Sequence, residues 1–143
     1  MGLASQMTFQ CIGCGEETTF STDSKTGQFY PINQSAVFAA KSIGHGYAAL
    51  SRFCNNLDLP GPMAKWTFER HSKQIRDAAV SEAKESMSVA VEEIRQLNDC
   101  EGDELADIAI TIDGTWMKRG HSSLYGAVFA LSSQTDKAID SIT

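Results

Sequence analysis

The sequence predicts an α+β fold whose strands and helices are segregated along the chain. Three observations carry this. Residues 6–22 alternate in polarity around a Cys-x-x-Cys turn, residues 35–98 repeat apolar side chains at helical spacing, and residues 108–143 return to a period of two. The expected order is an N-terminal β-hairpin knuckle, a helical middle with one long helix, and an antiparallel strand series.

The hairpin comes first. Gln6 to Gln10 has strand-like alternation, Cys11-Ile12-Gly13-Cys14-Gly15 is a turn, and Glu17 to Thr22 is rich in β-favouring Thr and Phe. Asp23 to Gln28 is a polar loop. Ser35 is a candidate N-cap for a helix over Ala36 to Ile43, which breaks near Gly44-His45-Gly46. A second short helix carries Tyr47, Leu50, Phe53, Cys54 and Leu57 at helical spacing. It ends at Asp58-Leu59-Pro60-Gly61-Pro62, because proline cannot continue a helix.

From Met63 to Asn98 the spacing is helical again, in one piece or two. Ile75, Ala79, Ala83, Met87, Val91, Ile94 and Leu97 mark its expected buried face. Such a helix is roughly 45 Å long. No heptad persists over enough turns for a coiled coil. Asn98 to Leu105 is an acidic loop. Ile108, Ile110 and Ile112 then alternate with Ala109, Thr111 and Asp113, which reads as a buried strand closed by Asp113. A loop over Gly114 to Ser122 leads to a second strand, Ser123 to Ser132. Gln134 to Lys137 is a turn, and Ala138 to Thr143 begins a third strand.

Composition narrows the function classes. The chain has 143 residues, 42% of them hydrophobic, so a core can be built. Four cysteines are too few for a disulfide scaffold. No apolar run reaches the roughly 18 residues that span a bilayer, so no membrane partner is expected. The net charge is −6, which argues against a protein that binds nucleic acid by bulk positive charge. The acidity is uneven: residues 101–143 hold seven acidic groups against three basic ones.

Four features carry chemistry. Cys11-x-x-Cys14-Gly15 has zinc-knuckle spacing but supplies only two of the four ligands that tetrahedral Zn²⁺ takes. The alternative is a turn with two unligated thiols. A thioredoxin-type redox site is disfavoured, because such sites precede a helix rather than join two strands. Asp113 in Asp113-Gly114-Thr115-Trp116 is either a metal ligand or the acceptor of an Asx-type bond from the following turn. Trp116-Met117-Lys118-Arg119-Gly120-His121 is a basic patch beside an aromatic ring, suited to phosphate or simply a solvated loop. The helical segments over residues 47–57 and 63–75 either form a helix-turn-helix that offers Lys65, Arg70 and Lys73 to a DNA groove, or a plain bundle. His45 and His121 read as loop histidines and His71 as a solvated one.

These residues together resemble the Mutator-like transposases. The carriers are Asp107-Ile108-Ala109-Ile110-Thr111-Ile112-Asp113-Gly114-Thr115-Trp116, followed by Lys118-Arg119-Gly120-His121-x-Ser123-x-x-Gly126. Gly2-Leu3-Ala4-Ser5 with Cys11-x-x-Cys14 and Phe20-Ser21-Thr22 supports it. So do Asn33-x-x-Ala36, Gly44-x-Gly46, Leu50, Phe53-Cys54, Pro60 and Pro62. Met117 stands where the family motif usually has Gln.

The resemblance implies a nuclear DNA transposase with an RNase H-like core. Three acids there hold two Mg²⁺ (or Mn²⁺) ions for strand cleavage and transfer at transposon ends. Asp113 matches the first acid, and Cys11 and Cys14 match half of a Zn²⁺ ribbon. Lys65, Arg70, Lys73, Lys118, Arg119 and His121 become candidate DNA contacts, and self-association is a further expectation. The expected organisation is a half zinc-ribbon hairpin over 1–30, a helical region over 31–100 and the first strands of the catalytic core over 101–143. The other two acids and the upstream cysteine pair are not in the sequence, so the expectation is a truncated piece that is inactive by itself. The competing expectations are a non-enzymatic zinc- or DNA-binding module derived from a transposase, and an unrelated α+β interaction domain with a helical arm.

Overall fold

A computed structural model describes residues 2–116 and 125–143. The elements run β1 (Gln6–Gln10), β2 (Glu17–Ser21), α1 (Pro31–Ser42), α2 (Tyr47–Asn56), α3 (Lys65–Leu97), β3 (Ile110–Trp116), β4 (Gly126–Ser132) and β5 (Ala138–Ile142). The fold is α+β, with two small antiparallel sheets of order β1-β2 and β3-β4-β5. The chain divides into two compact units, Met1–Ala78 and Ala79–Thr143, and the division falls inside α3.

In the first unit, β1 and β2 pair from Gln6↔Ser21 to Gln10↔Glu17. Phe9 and Phe20 stack on this hairpin with ring centroids 5.3 Å apart. Helix α1 starts earlier than Ser35 suggests. Tyr30 is its N-cap, and Pro31 takes the first helical position, where its fixed φ and missing N–H cost nothing. Asp23 replaces the cap: its Oδ2 accepts from the Ile32 N–H at 2.8 Å. Ser35 lies one turn inside. The core of this unit is Val37, Ala40, Met63 and Phe68, with Tyr47, Leu50 and Ile75 packed on it. Tyr47 meets the edge of Phe68 at 5.8 Å.

Asn33 ties the N-terminal segment to this core. It is buried, and its Oδ1 accepts from the Leu3 N–H at 2.9 Å. A side chain at Gly2 would fall 2.5 Å from the same oxygen, and Gly2 has a φ of +70°, so glycine is required there.

Helix α3 is a single helix of 33 residues. Its buried positions differ from the expected face. Phe68 and His71 are buried and Ile75 half-buried in the first unit; Ala90 and Ile94 are buried and Met87 half-buried in the second. Every residue over 76–86 is exposed. A helix survives there without cover because Ala, Glu, Lys and Arg are strong helix formers. His71 is a clear correction: it is 1% exposed, against the solvated reading. The ring of Phe29, at 4.9 Å and 74°, packs on it and shuts out water.

In the second unit the last turns of α3 grip two loops. Arg95 donates through Nη1 to the Glu104 carbonyl at 2.8 Å and through Nη2 to the Gly102 carbonyl. Asn98 and Gln134 exchange side-chain amide bonds, with Nδ2 to Oε1 at 3.0 Å. Lys137 pairs with Glu93. The turn between β4 and β5 is thus anchored, and the sheet β3-β4-β5 grows from it.

Two substitutions test these anchors. Asn33→Ala leaves the Leu3 N–H without its acceptor and costs about 1–3 kcal/mol of stability by urea unfolding; a loss below about 0.5 kcal/mol contradicts the anchoring role. His71→Leu keeps the apolar packing and removes the buried Nε2, which has no partner among the described residues, giving up only the 3.2 Å contact between Nδ1 and Gln74 Oε1 on the same helix. Its midpoint of unfolding therefore matches or exceeds that of the native chain, while His71→Ala drops by about 2 kcal/mol or more.

Candidate functional site

Three groups of residues were expected to carry chemistry, and each has its own setting. The first is the turn between β1 and β2. The Cys11 N–H donates to the Glu16 carbonyl at 2.8 Å, and the Gly15 N–H donates to the Cys11 carbonyl at 2.9 Å. Gly15 has a φ of +75°, a left-handed conformation in which glycine carries no steric penalty. The turn brings Cys11 and Cys14 together at the exposed tip. The Cys11 thiol lies below its usual pKa because the Cys14 backbone N–H, the Cys14 side chain and the Gly13 backbone N–H all hydrogen-bond its sulfur. The pair therefore offers one stabilised thiolate and one adjacent thiol, half of a zinc ligand set.

The second group lies on α3. Lys65 pairs with Glu69 one turn on, at 3.8 Å, with both side chains well exposed. Arg70 lies over the Phe29 ring, 4.6 Å from its centroid. Lys73 is exposed. Residues 66, 70 and 73 share one side of the helix by spacing, so exposed Trp66 joins Arg70 and Lys73 there. Sequence reading missed how Phe29 is shared between Arg70 and His71; no local spacing links residue 29 to residues 70 and 71.

The third group is the sheet β3-β4-β5. The register pairs Ile110↔Ser132, Ile112↔Ala130, Asp113↔Phe129, Gly114↔Val128 and Trp116↔Gly126. Asp113 was expected to close a buried strand. Instead β3 starts at Ile110 and runs on to Trp116, so Asp113 is its middle residue, and the strand is exposed almost throughout. β3 is an edge strand, and Ile112 remains 66% exposed. The Asp113 Oδ1 accepts from the Gly114 N–H at 2.9 Å, a local bond of the Asx kind. Its other oxygen has no bond among the described residues.

Alternation places Asp113, Thr111 and Thr115 on one face, and Ile110, Ile112, Gly114 and Trp116 on the other. The Trp116 indole lies across the sheet. An added Cβ at Gly126 would meet its Cδ1 at 3.1 Å, and one at Gly114 its Cη2 at 3.5 Å. Gly126 makes room for the ring, whereas a Cβ at Gly114 would be in ordinary contact with it, a distinction that only the register reveals. Lys118, Arg119 and His121 lie outside the described residues.

The fit to metals is partial. No group of three His, Cys, Asp or Glu side chains that could hold an ion occurs among the described residues. Cys11 and Cys14 fit two positions of a thiolate zinc site, and Asp113 fits one position of a hard-cation site. No helix is long and apolar enough to cross a membrane.

A family model described as Mutator-like transposase matches residues 1–143. No curated protein and no solved structure matches the chain.

Two outcomes follow from the site geometry. Alkylation of Cys11 by iodoacetamide reaches its half-maximal rate at a lower pH than alkylation of the same cysteine in an unfolded peptide; coincident profiles contradict the turn geometry. Gly126→Ala presses a Cβ to 3.1 Å from both the Trp116 ring and the Thr115 carbonyl, so the ring or strand shifts slightly, Trp fluorescence changes and amide protection falls around Thr115 and Gly126, whereas Gly61→Ala, with open space at its Cβ, leaves both unchanged.

Proposed function

The chain belongs to the Mutator-like transposase family, and on that premise we propose that it contributes the leading acid and a DNA-facing helical region to a metal-dependent DNA strand transferase that works in the nucleus. The observation that carries this reading is Asp113, midway along exposed β3 with one carboxylate oxygen unengaged among the described residues. A hard divalent ion takes carboxylates of this kind and keeps several waters. In the proposed reaction Mg²⁺ or Mn²⁺ would supply an activated water or hydroxyl for attack on a phosphodiester.

Asp113 alone is one carboxylate, and a two-ion site needs more. The reading therefore gives this chain a binding and positioning role, with no strand cleavage by its described residues alone. The remaining acids, the RNase H-like form of the core and the boundaries 1–30, 31–100 and 101–143 belong to the same proposal. Zn²⁺ at Cys11 and Cys14 would hold the β1–β2 hairpin.

DNA is the proposed partner, with transposon ends as its form. Lys73 is free to meet a phosphate. Arg70 approaches with its guanidinium already stacked on Phe29, which lowers the entropy cost of ordering it. Lys65 would have to leave Glu69. Lys118, Arg119 and His121 follow β3 in sequence and extend the same proposal.

A second reading is supported by one observation, the exposed pair Cys11 and Cys14 in the β1–β2 turn. It is a non-enzymatic zinc- or DNA-binding module derived from a transposase.

Two measurements test these readings. Mn²⁺ added to the isotopically labelled chain should broaden the amide signals around Asp113, and Asp113→Asn should abolish this; equal broadening in both removes Asp113 from the proposal. Fluorescence anisotropy with labelled duplex DNA should show binding that weakens with salt. Lys73→Ala and Arg70→Ala should each reduce the log–log salt slope by about 0.9, and no retention at low salt excludes DNA as a partner.

A further inference from the structure

The first unit sets cations beside aromatic rings. Residues 1–78 hold seven basic and six acidic groups, against five and twelve over residues 79–143. Two consecutive residues each carry a cation over the ring: the Lys25 Nζ lies 5.4 Å from the Tyr30 centroid, and the Arg70 guanidinium 4.6 Å from the Phe29 centroid. One turn before Arg70 on α3, Trp66 is 63% exposed and has no ring or cation over it among the described residues. We propose that Trp66, Arg70 and Lys73 form a site for unpaired DNA, in which the indole stacks on a base and the two cations meet the flanking phosphates. This deepens the DNA reading of α3 and rests on it.

The helix sets the spacing. Arg70 lies about 6 Å and Lys73 about 10 Å beyond Trp66 along the axis, on the same side. The nearby acids are already engaged: Glu69 pairs with Lys65 at 3.8 Å, and Asp77 with Arg76 at 3.4 Å. Arg70 and Lys73 have no acidic partner among the described residues, so their charge is available to phosphate. Phe29 holds the Arg70 guanidinium from a different segment of the chain, so the site is more than a property of one helix.

The indole decides the form of the DNA. In a duplex each base face is covered by its neighbours, and only base edges and phosphates face the grooves. Cations serve either form, but a flat indole gains stacking only from a base whose face is free. Trp also has one N–H donor and no acceptor, a poor tool for reading base edges. Every base has a π-face, so the site is expected to tolerate sequence.

The test uses the whole chain and two fluorescein-labelled probes of equal phosphate count, an oligothymidylate and a hairpin duplex, titrated by anisotropy at low salt. The oligothymidylate should bind more tightly. Trp66→Ala should weaken its binding about tenfold and that of the duplex less than about twofold. The salt slope should stay that of the native chain, because an indole neutralises no phosphate. Unlabelled oligothymidylate should quench the indole emission of the native chain. Trp66→Phe should keep most of the affinity, since Phe still offers a ring, and lose the quenching. Trp66 lies at the surface, so both variants should unfold at the urea midpoint of the native chain. Equal losses on the two probes, tighter binding of the duplex, or unquenched emission each overturn the site while the DNA reading stands. Binding to neither probe removes both.

Discussion

The pairing register of β3 against β4 is the constraint on which the functional reading depends. Side chains alternate along a strand, so a slip of one residue would carry every one of them to the opposite face. With Trp116 opposite Gly126 and Asp113 opposite Phe129, the acid and the indole stand on different faces of the sheet. The indole fixes this arrangement sterically. Its ring and the Thr115 carbonyl both come within 3.1 Å of where a Cβ at Gly126 would stand, so the pair is close-fitting in this register. Asp-Gly-Thr-Trp thus combines two jobs: the aspartate carries charge, and the glycine and tryptophan hold the strand in place.

The first unit is organised around a small core, and small cores tolerate few losses. Val37, Ala40, Met63 and Phe68 supply apolar burial, but the polar contacts decide where chain segments attach. Asn33 accepts from Leu3, and Asp23 caps α1 through Ile32. Phe29 sits between His71 and Arg70, so one ring orders a buried imidazole and an exposed guanidinium. The same contact that completes the packing therefore holds an exposed cation in place, and the proposed function gives that cation to phosphate.

The cysteine turn shows how exposure and hydrogen bonding combine. Neither thiol is buried, so desolvation does little to oppose the charged form of Cys11. Donors from the turn favour it instead.

Much of the fold was legible in the sequence. Alternation marked β1, β-favouring Thr and Phe marked β2, and the Pro60 region ended the second helix where proline geometry requires. Cys11, Cys14 and Asp113 were legible as chemistry because thiols at knuckle spacing and a lone carboxylate in an apolar strand stand out locally. What local pattern missed were contacts between residues distant in sequence. Pro31 moved the start of α1 forward, with a cap supplied by Asp23 from the preceding loop. His71 was read as solvated because its helical neighbours are polar, yet Phe29 buries it. Asp113 was read as the end of a buried strand, yet β3 continues past it, since Thr115 and Trp116 complete the ladder with Ala127 and Gly126. The sequence by itself determined which side chains carry thiol, carboxylate and cationic groups, because those capacities belong to side-chain chemistry. Only the tertiary structure decided which of them are exposed, which are paired and which face they occupy, because burial and register are set by partners that no local window contains.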